Sequence, residues 1–226
     1  MDEEEFLLLY NINNPSNNNL VIPFWNHERF DLERITDDEC KLEFLFLKND
    51  IYALYGALDI PDEIVCCNGF KVSGICGLCV LLKRFAYPCR YTDMIPRFAL
   101  SVPQLCMVSN TMLSYVFDNW CHLLRTFDQN WLSRENLQRF ANIIHEKDAP
   151  LDNCWGFVDG TVRRVCRPGR NQRVLYDGNR KVHGIKFQSV VAPNGMVANL
   201  YGPVAGRRHD TTMLVRSNLL ANLQEH

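Results

Sequence analysis

The 226-residue sequence has no apolar run approaching the roughly 20 residues needed to span a bilayer, so we expect no membrane-spanning helix and no membrane partner. It also lacks a basic start: the first residues, Met-Asp-Glu-Glu-Glu-Phe, are acidic where a secretory signal peptide would be basic. Without such a signal, we expect the ten cysteines to be reduced thiols in the cytosol or nucleus. Hydrophobic residues make up 47% of the chain, which is enough for a folded core and excludes a disordered protein.

A complete set of zinc ligands is also missing. Cys76 and Cys79 have the spacing of a ligand pair, and Cys66 and Cys67 lie nearby, but no matching Cys or His pair follows. Because Cys79 falls on an apolar helical stripe, buried free thiols are the favoured interpretation. No Cys–His or Ser–His arrangement indicates a nucleophile, and there is no internal repeat.

The net charge of -2 conceals a gradient along the chain. Residues 1–50 carry 12 acids and 4 bases, whereas residues 151–226 carry 5 acids and 11 bases. A basic C-terminal part suits a polyanion such as nucleic acid, although charged stretches are also common as solvated faces.

Residues 1–35 are predicted to be loosely ordered, and residues 36–150 to form a helical domain. Six asparagines between Asn11 and Asn19 indicate a flexible connector. Thr36 and Glu39 have the spacing of a capping box, and apolar residues then recur at helical intervals as far as Leu54. The prediction is therefore that ordered structure begins near Thr36.

Further helices are expected in this domain. A buried helix over residues 73–86 is predicted from one apolar stripe, formed by Ile75, Leu78, Cys79, Leu82 and Phe85. A short helix beginning at Tyr91 and a longer one capped by Ser101 have the outline of a helix-turn-helix, which also occurs in bundles that never contact DNA. The last helix, over residues 132–144, is capped by Ser133.

Strand signals begin after Asp148-Ala149-Pro150, which we take as a domain boundary. Apolar runs at residues 154–158 and 186–191 predict strands, and Pro193-Asn194-Gly195 predicts a hairpin leading to a partner strand over 196–201. Residues 209–224 read as one helix. The predicted fold class is α+β, with the mixed domain spanning residues 151–226.

Two acids mark the ends of predicted elements in this second domain. Asp159 follows the run Gly156-Phe157-Val158, and Asp210 opens the last helix. Each has an ordinary alternative: Val-Asp-Gly-Thr forms turns, and aspartate is a common N-cap. If the two carboxylates lie together, they provide the oxygen ligands that Mg²⁺ or Mn²⁺ prefers.

The stretch between these acids is basic, which suits a phosphate-rich substrate. Asp177 is its only acid. The residues predicted to contact DNA are Arg163, Arg164, Arg167, Arg170, Arg173, Lys181, Lys186, Arg207 and Arg208. Arg180 lies in the same stretch. His209 is a candidate to support the metal ligands or to contact phosphate, with a polar helix-start residue as the alternative, and His183 is a weaker candidate neighbour of Asp159.

An ordered string of motifs resembles the PIF/Harbinger transposase family and its domesticated nucleases, which belong to the DDE endonuclease superfamily. The motifs span Cys154–Thr161, Asn171–Tyr176, Val182–Gln188, Asn199–Pro203 and Gly206–Asp210, with Cys79–Pro88 and Asp93–Phe98 in the helical part. The resemblance covers roughly residues 30–226.

This resemblance implies a helix-turn-helix-like domain followed by an RNase H-like domain, in which three acids bind two divalent metals and cut DNA. The first two acids fall on Asp159 and Asp210. The third is a glutamate on a later helix, and the chain ends 16 residues after Asp210, so we expect a C-terminally incomplete domain. In one continuous helix, Glu225 would lie roughly 22 Å from Asp210, too far to share a metal.

The sequence thus predicts a metal-dependent DNA endonuclease derived from a transposase. The alternative is a catalytically inactive remnant that binds DNA or a protein. The family resemblance further implies a Myb-like DNA-binding partner and a nuclear location, with a cytoplasmic pool left open.

Overall fold

The structure is a computed structural model that describes residues 23–127, 129–170 and 172–225, with the side chains of residues 224 and 225 outside this description. The Asn-rich stretch and the Glu225 side chain, both considered above, therefore lie outside the described part. The chain divides into two compact units, the first ending at Phe117 and the second beginning at Asp118. The sequence placed this boundary near Pro150 instead, so residues 118–150 lie with the sheet that follows them.

The first unit is helical with one small hairpin. Its α-helices are α1 (Asp37–Phe44), α2 (Lys48–Ala57), α3 (Gly74–Ala86), α4 (Tyr91–Phe98) and most of α5 (Val102–Trp120). The antiparallel strands β1 (Glu63–Val65) and β2 (Lys71–Ser73) lie between α2 and α3. The part of the chain before Thr36 also contributes to this unit, because Leu32 and Ile35 are buried in its core.

Local capping signals are confirmed. Thr36 and Glu39 form the reciprocal capping box of α1, and the Ser101 hydroxyl accepts a hydrogen bond from the Gln104 backbone at the start of α5. The periodicity after Phe44 is interrupted, since Leu45 adopts a left-handed conformation and α2 starts afresh at Lys48.

Helix α3 is the centre of the first core. Residues Leu78, Cys79 and Val80 are at most 1% exposed, so the helix is buried around most of its circumference. A helix buried on several sides does not follow a single apolar stripe. Phe85, which the stripe placed inside, is 66% exposed at its last turn.

The two thiols on α3 are desolvated. Burial raises the pKa of Cys76 to about 12 and raises that of Cys79 further. Thiolate is the form that binds metals and attacks electrophiles, so both residues are expected to be inert at neutral pH.

We predict that iodoacetamide leaves Cys76 and Cys79 unmodified in the folded protein at pH 7.5. The exposed Cys67 and Cys166 serve as internal controls and should be alkylated, as peptide mass spectrometry would record. Alkylation of Cys79 as fast as that of Cys166 would contradict this assignment.

The predicted pair of helices is present as α4 and α5, joined by Ala99, Leu100 and Ser101. Helix α5 contains no lysine or arginine, and its residues Leu105, Val108 and Met112 are buried. A helix without basic residues is poorly suited to contact phosphates. DNA contact by α4 and α5 stays a prediction.

The second unit has one described sheet. Its strands are β3 (Phe157–Arg164), β4 (Tyr176–Asp177), β5 (Val182–Val191) and β6 (Val197–Ala205). Strand β5 is central and pairs antiparallel with the other three. The hairpin between β5 and β6 is confirmed. Strand β3 begins at Phe157, three residues later than the predicted run, and among the described strands it pairs only with β5.

Helices cover part of this sheet: α6 (Arg134–His145), α7 (Gln172–Leu175), α8 (Asp210–Arg216) and α9 (Leu219–Glu225). Leu132, Val190 and Leu219 are buried in the same core, so the chain before residue 150 and the chain after 209 share one core. The amide of Asn199 on β6 also donates to the Arg125 carbonyl at 3.2 Å. With separate helices and antiparallel strands, the α+β class is confirmed.

The predicted helix over 209–224 is in fact two helices. Asn218 adopts a left-handed backbone with φ of 54°, and the Ser217 hydroxyl donates to the Leu214 carbonyl, which ends α8. The separation of 22 Å between Asp210 and Glu225 assumed one straight helix, so it does not hold.

Candidate metal and nucleic-acid site

Asp159 and Asp210 line the same cavity of the second unit. Asp159 lies in the first half of β3, and Asp210 is the first residue of α8. The cavity has a volume of about 410 Å³. Apart from these acids, it is lined mainly by apolar side chains of α8 and α9, among them Met213, Leu214, Leu219 and Leu220.

Gly160 lets the Asp210 carboxylate approach strand β3 closely. A Cβ atom at this position would lie 3.0 Å from the Asp210 Cγ, so glycine leaves the room that the carboxylate occupies. Asp210 therefore packs against the backbone next to Asp159, and both residues border one cavity. Because successive side chains of a strand point to opposite faces of its sheet, the direction of Asp159 differs from the direction in which Gly160 meets Asp210. Asp210 is not an N-cap, because His209 holds that position.

Lys186 connects the acids of this site. Its Nζ lies 3.1 Å from Asp177 Oδ2 and 3.4 Å from Asp210 Oδ1, and it donates to the Arg208 carbonyl at 2.9 Å. Lys186 is only 6% exposed. A buried, paired ammonium cannot reach a DNA phosphate, so the predicted DNA contact of Lys186 is corrected. No local pattern in the sequence indicates this pairing, apart from the isolated acid Asp177.

Asp177 is the buried partner of that lysine, with 3% exposure. Burial by itself would raise its pKa, but the backbone N–H of Arg180 and the ammonium of Lys186 outweigh this effect and hold the pKa below its usual range. Asp177 is therefore a fixed anion at neutral pH.

The other predicted basic residues gather at one end of the sheet. In the antiparallel register, Arg164 on β3 lies opposite Gly184 on β5, and Ala205 on β6 lies opposite Ile185. The end of β3, the start of β5 and the end of β6 therefore coincide. We call the exposed bases of this region the basic end: Arg163, Arg164, Arg167, Arg170, Arg173, Arg180, Lys181 and Arg207. Arg208 is half-buried. Within the described residues, no member of the basic end forms an ion pair with a carboxylate.

The two candidate histidines differ in position. His209 is exposed and adjoins Asp210 as the N-cap of α8, but its side chain makes no capping hydrogen bond. His183 stacks edge-on against Tyr176 and lies six residues along β5 from Ser189, the partner of Asp159. At about 3.3 Å per residue this is roughly 20 Å, so His183 is not a neighbour of Asp159.

The donor set suits a hard divalent cation. Magnesium is usually held by one or two carboxylates together with waters and substrate phosphates, and Asp159 and Asp210 supply two exposed carboxylates on one cavity. Within the residues that the structure describes, no group of three or more His, Cys, Asp or Glu side chains could hold a metal ion. The remaining ligands would have to be waters, phosphate oxygens or an acid outside this description.

Residues 158–226 match the family model described as a DDE superfamily endonuclease. The match begins one residue before Asp159 and includes Asp210, and it covers less than a third of the chain. Comparisons with curated proteins and with solved structures find no significant match. The match supports the superfamily, whose members act on DNA and typically use divalent metals. The motifs before residue 158 lie outside it.

Among the described helices, none is long and apolar enough to cross a membrane.

Proposed function

We propose that the second unit belongs to a transposase-derived, metal-dependent DNA endonuclease of the PIF/Harbinger type. In this proposal, Asp159 and Asp210 ligate Mg²⁺ or Mn²⁺. The observation that carries it is that Asp159 and Asp210 border one cavity, with the Asp210 carboxylate packed against the backbone of Gly160. The endonuclease family match over the same residues supports it.

Each acid has a separate support. Asp159 is carried by a strand paired with β5 along its whole length, and Asp210 is held against that strand pair by Gly160 and Lys186. When bound, divalent ions would stabilise the attacking and leaving oxygens of a phosphodiester during in-line displacement. The side chains of α8 and α9 give one side of the cavity an apolar lining.

The basic end provides the surface for the DNA backbone. Arg163 lies four residues from Asp159 on β3, which is about 13 Å along the strand. Successive phosphates of one DNA strand are spaced by about 3.4 Å along the helix axis, so a backbone bound at the basic end would reach the acids within about four nucleotides. His209 lies beside Asp210 and is a further candidate for a phosphate contact.

We predict that the triple variant Arg163→Gln/Arg164→Gln/Arg167→Gln binds DNA more weakly and with less dependence on salt. If all three contact phosphates, the slope of log K against log salt falls in magnitude by about 2.7, because each contact contributes about 0.9. Fluorescence anisotropy between 50 and 200 mM NaCl would measure both quantities. The control removes three exposed bases of the same unit outside the basic end, in Arg134→Gln/Arg139→Gln/Lys147→Gln. An equal loss in the two variants would argue against a localised DNA surface.

A second candidate function is a catalytically inactive protein that binds DNA or a partner such as a Myb-like protein. The observation in its favour is that the described residues offer only two of the three acids that the family resemblance implies. Both functions are consistent with a nuclear protein.

Nicking of supercoiled plasmid DNA separates the two functions. An endonuclease that carries all three acids should nick with 5 mM Mg²⁺ or Mn²⁺, and chelation by EDTA should stop it. Salt-sensitive DNA binding without nicking in either metal would favour the inactive DNA-binding protein, and binding to neither DNA nor metal would overturn the proposed function.

A further inference from the structure

The buried position of Lys186 requires an explanation, because a lysine ammonium is costly to remove from water. Lys186 is 6% exposed in the middle of β5, opposite Val162 of β3. Its Nζ has three oxygen neighbours, which belong to Asp177, Arg208 and Asp210. Only the last of these lies on the cavity.

On the buried side of Lys186, backbone hydrogen bonds hold the Asp177 carboxylate in place. The Oδ1 atom of Asp177 accepts the backbone N–H groups of Asn179 at 2.9 Å and Arg180 at 3.1 Å, and its Oδ2 faces Lys186. Both Asp177 and Lys186 are almost fully buried. The ammonium is therefore held at a defined point by an anion that is itself held by the backbone.

On the side of Lys186 that faces the cavity, its ammonium orients the Asp210 carboxylate. Lys186 binds the carbonyl of Arg208 and the carboxylate of Asp210, so it holds both the turn before α8 and the first side chain of that helix. Gly160 borders the same carboxylate from the strand. The Asp210 side chain is otherwise 68% exposed, and without this contact solvent would allow it several rotamers.

We propose that Lys186 is a positioning residue that fixes the Asp210 carboxylate beside Gly160, on the cavity that Asp159 also borders, as a ligand for a divalent cation. This inference rests on the proposed function. Lys186 is too deeply buried to touch DNA, so it acts only through Asp210 and the Arg208 carbonyl.

The positioning effect of Lys186 and the effect of its charge change the metal affinity in opposite directions, which makes the proposal testable. A buried ammonium close to the site repels a metal cation, so its removal would tighten metal binding if charge were its only effect. Removal of a group that orients a ligand weakens metal binding, typically by about 10- to 100-fold. The sign of the change therefore separates the two roles.

The experiment uses the full chain and four variants. Lys186→Met removes the ammonium. Asp177→Asn/Lys186→Met also removes the carboxylate that would otherwise be buried without a partner, which preserves folding. Lys147→Met is a matched control at an exposed lysine of the same unit. Mn²⁺ affinity is measured by isothermal titration calorimetry, with Asp159→Asn identifying the site-specific binding. Hydrogen–deuterium exchange of the peptide over residues 206–213 is measured without metal.

We expect Mn²⁺ to bind about 10-fold more weakly or worse in Lys186→Met and in the double variant, and exchange over residues 206–213 to be faster in both. Lys147→Met should stay within about threefold of the wild-type Mn²⁺ affinity. Tighter or unchanged Mn²⁺ binding in the double variant would overturn the positioning role while leaving the proposed function intact. Wild-type protein without Asp159-dependent Mn²⁺ binding would overturn the proposed function and this inference with it.

Discussion

Replacing Asp159 by asparagine is expected to abolish metal-dependent nicking of DNA while DNA binding persists. Asparagine keeps the size of the side chain but removes the negative charge that a divalent cation requires. Because catalytic groups that act together fail together, the rate should fall by on the order of 10³-fold or more. DNA affinity should be unchanged or slightly higher, since one negative charge beside the basic end is lost.

The matched control for this variant is Asp152→Asn, an exposed acid that precedes β3 and does not line the cavity. Plasmid nicking in Mn²⁺ and anisotropy-based DNA binding should be measured on the same preparations. Nicking by Asp159→Asn at the wild-type rate would show that Asp159 is not a metal ligand of this site. Loss of both nicking and DNA binding would instead indicate a damaged fold.

Replacing Lys186 by methionine is expected to reduce the free energy of unfolding of the second unit by about 3–5 kcal/mol. Methionine fills a similar volume, but it leaves Asp177 charged, buried and without its ammonium partner, and breaking a buried ion pair on one side has a cost of this size. Urea unfolding at pH 7, followed by tryptophan fluorescence, would measure it. Three of the four tryptophans, Trp120, Trp131 and Trp155, lie in the second unit.

The double variant Asp177→Asn/Lys186→Met should recover most of this loss, because an asparagine amide oxygen still accepts the backbone N–H groups of Asn179 and Arg180. Lys147→Met, at an exposed position, should change the free energy of unfolding by less than about 1 kcal/mol. A loss in Lys186→Met that the second substitution does not relieve would show that the lysine stem, rather than its charge, stabilises the sheet.

The ion pair between Asp177 and Lys186 also predicts how the free energy of unfolding depends on pH. The pKa of Asp177 is lower in the folded protein than its ordinary value near 3.9. Its contribution to stability is therefore fully present above about pH 4, and it is lost as the pH falls through the folded pKa. Asp177→Asn should flatten the acid side of the stability profile.

Short-range signals made much of the fold predictable. The caps at Thr36, Ser101 and Ser133 and the turn at Pro193-Asn194-Gly195 depend on residues within about four positions, so the sequence contains all that is needed to recognise them. The division between units was not predictable in this way. It depends on contacts such as Asn199 with Arg125, which are 74 residues apart.

By itself, the sequence identified Asp159 and Asp210 as candidate ligands in a basic α+β region and placed Asp210 at the start of a helix. It also placed Asp159 at the end of a strand, which was wrong, because β3 continues through Asp159 to Arg164. Only the tertiary structure decided which charged residues serve which purpose. Lys186 lies in the same basic stretch of sequence as Arg163 and Lys181. The alternation of side chains along β5 nevertheless turns Lys186 inward, where Asp177 and Asp210 are its partners. Burial and pairing depend on strand register and on where α8 packs, and these long-range relations are absent from any local pattern.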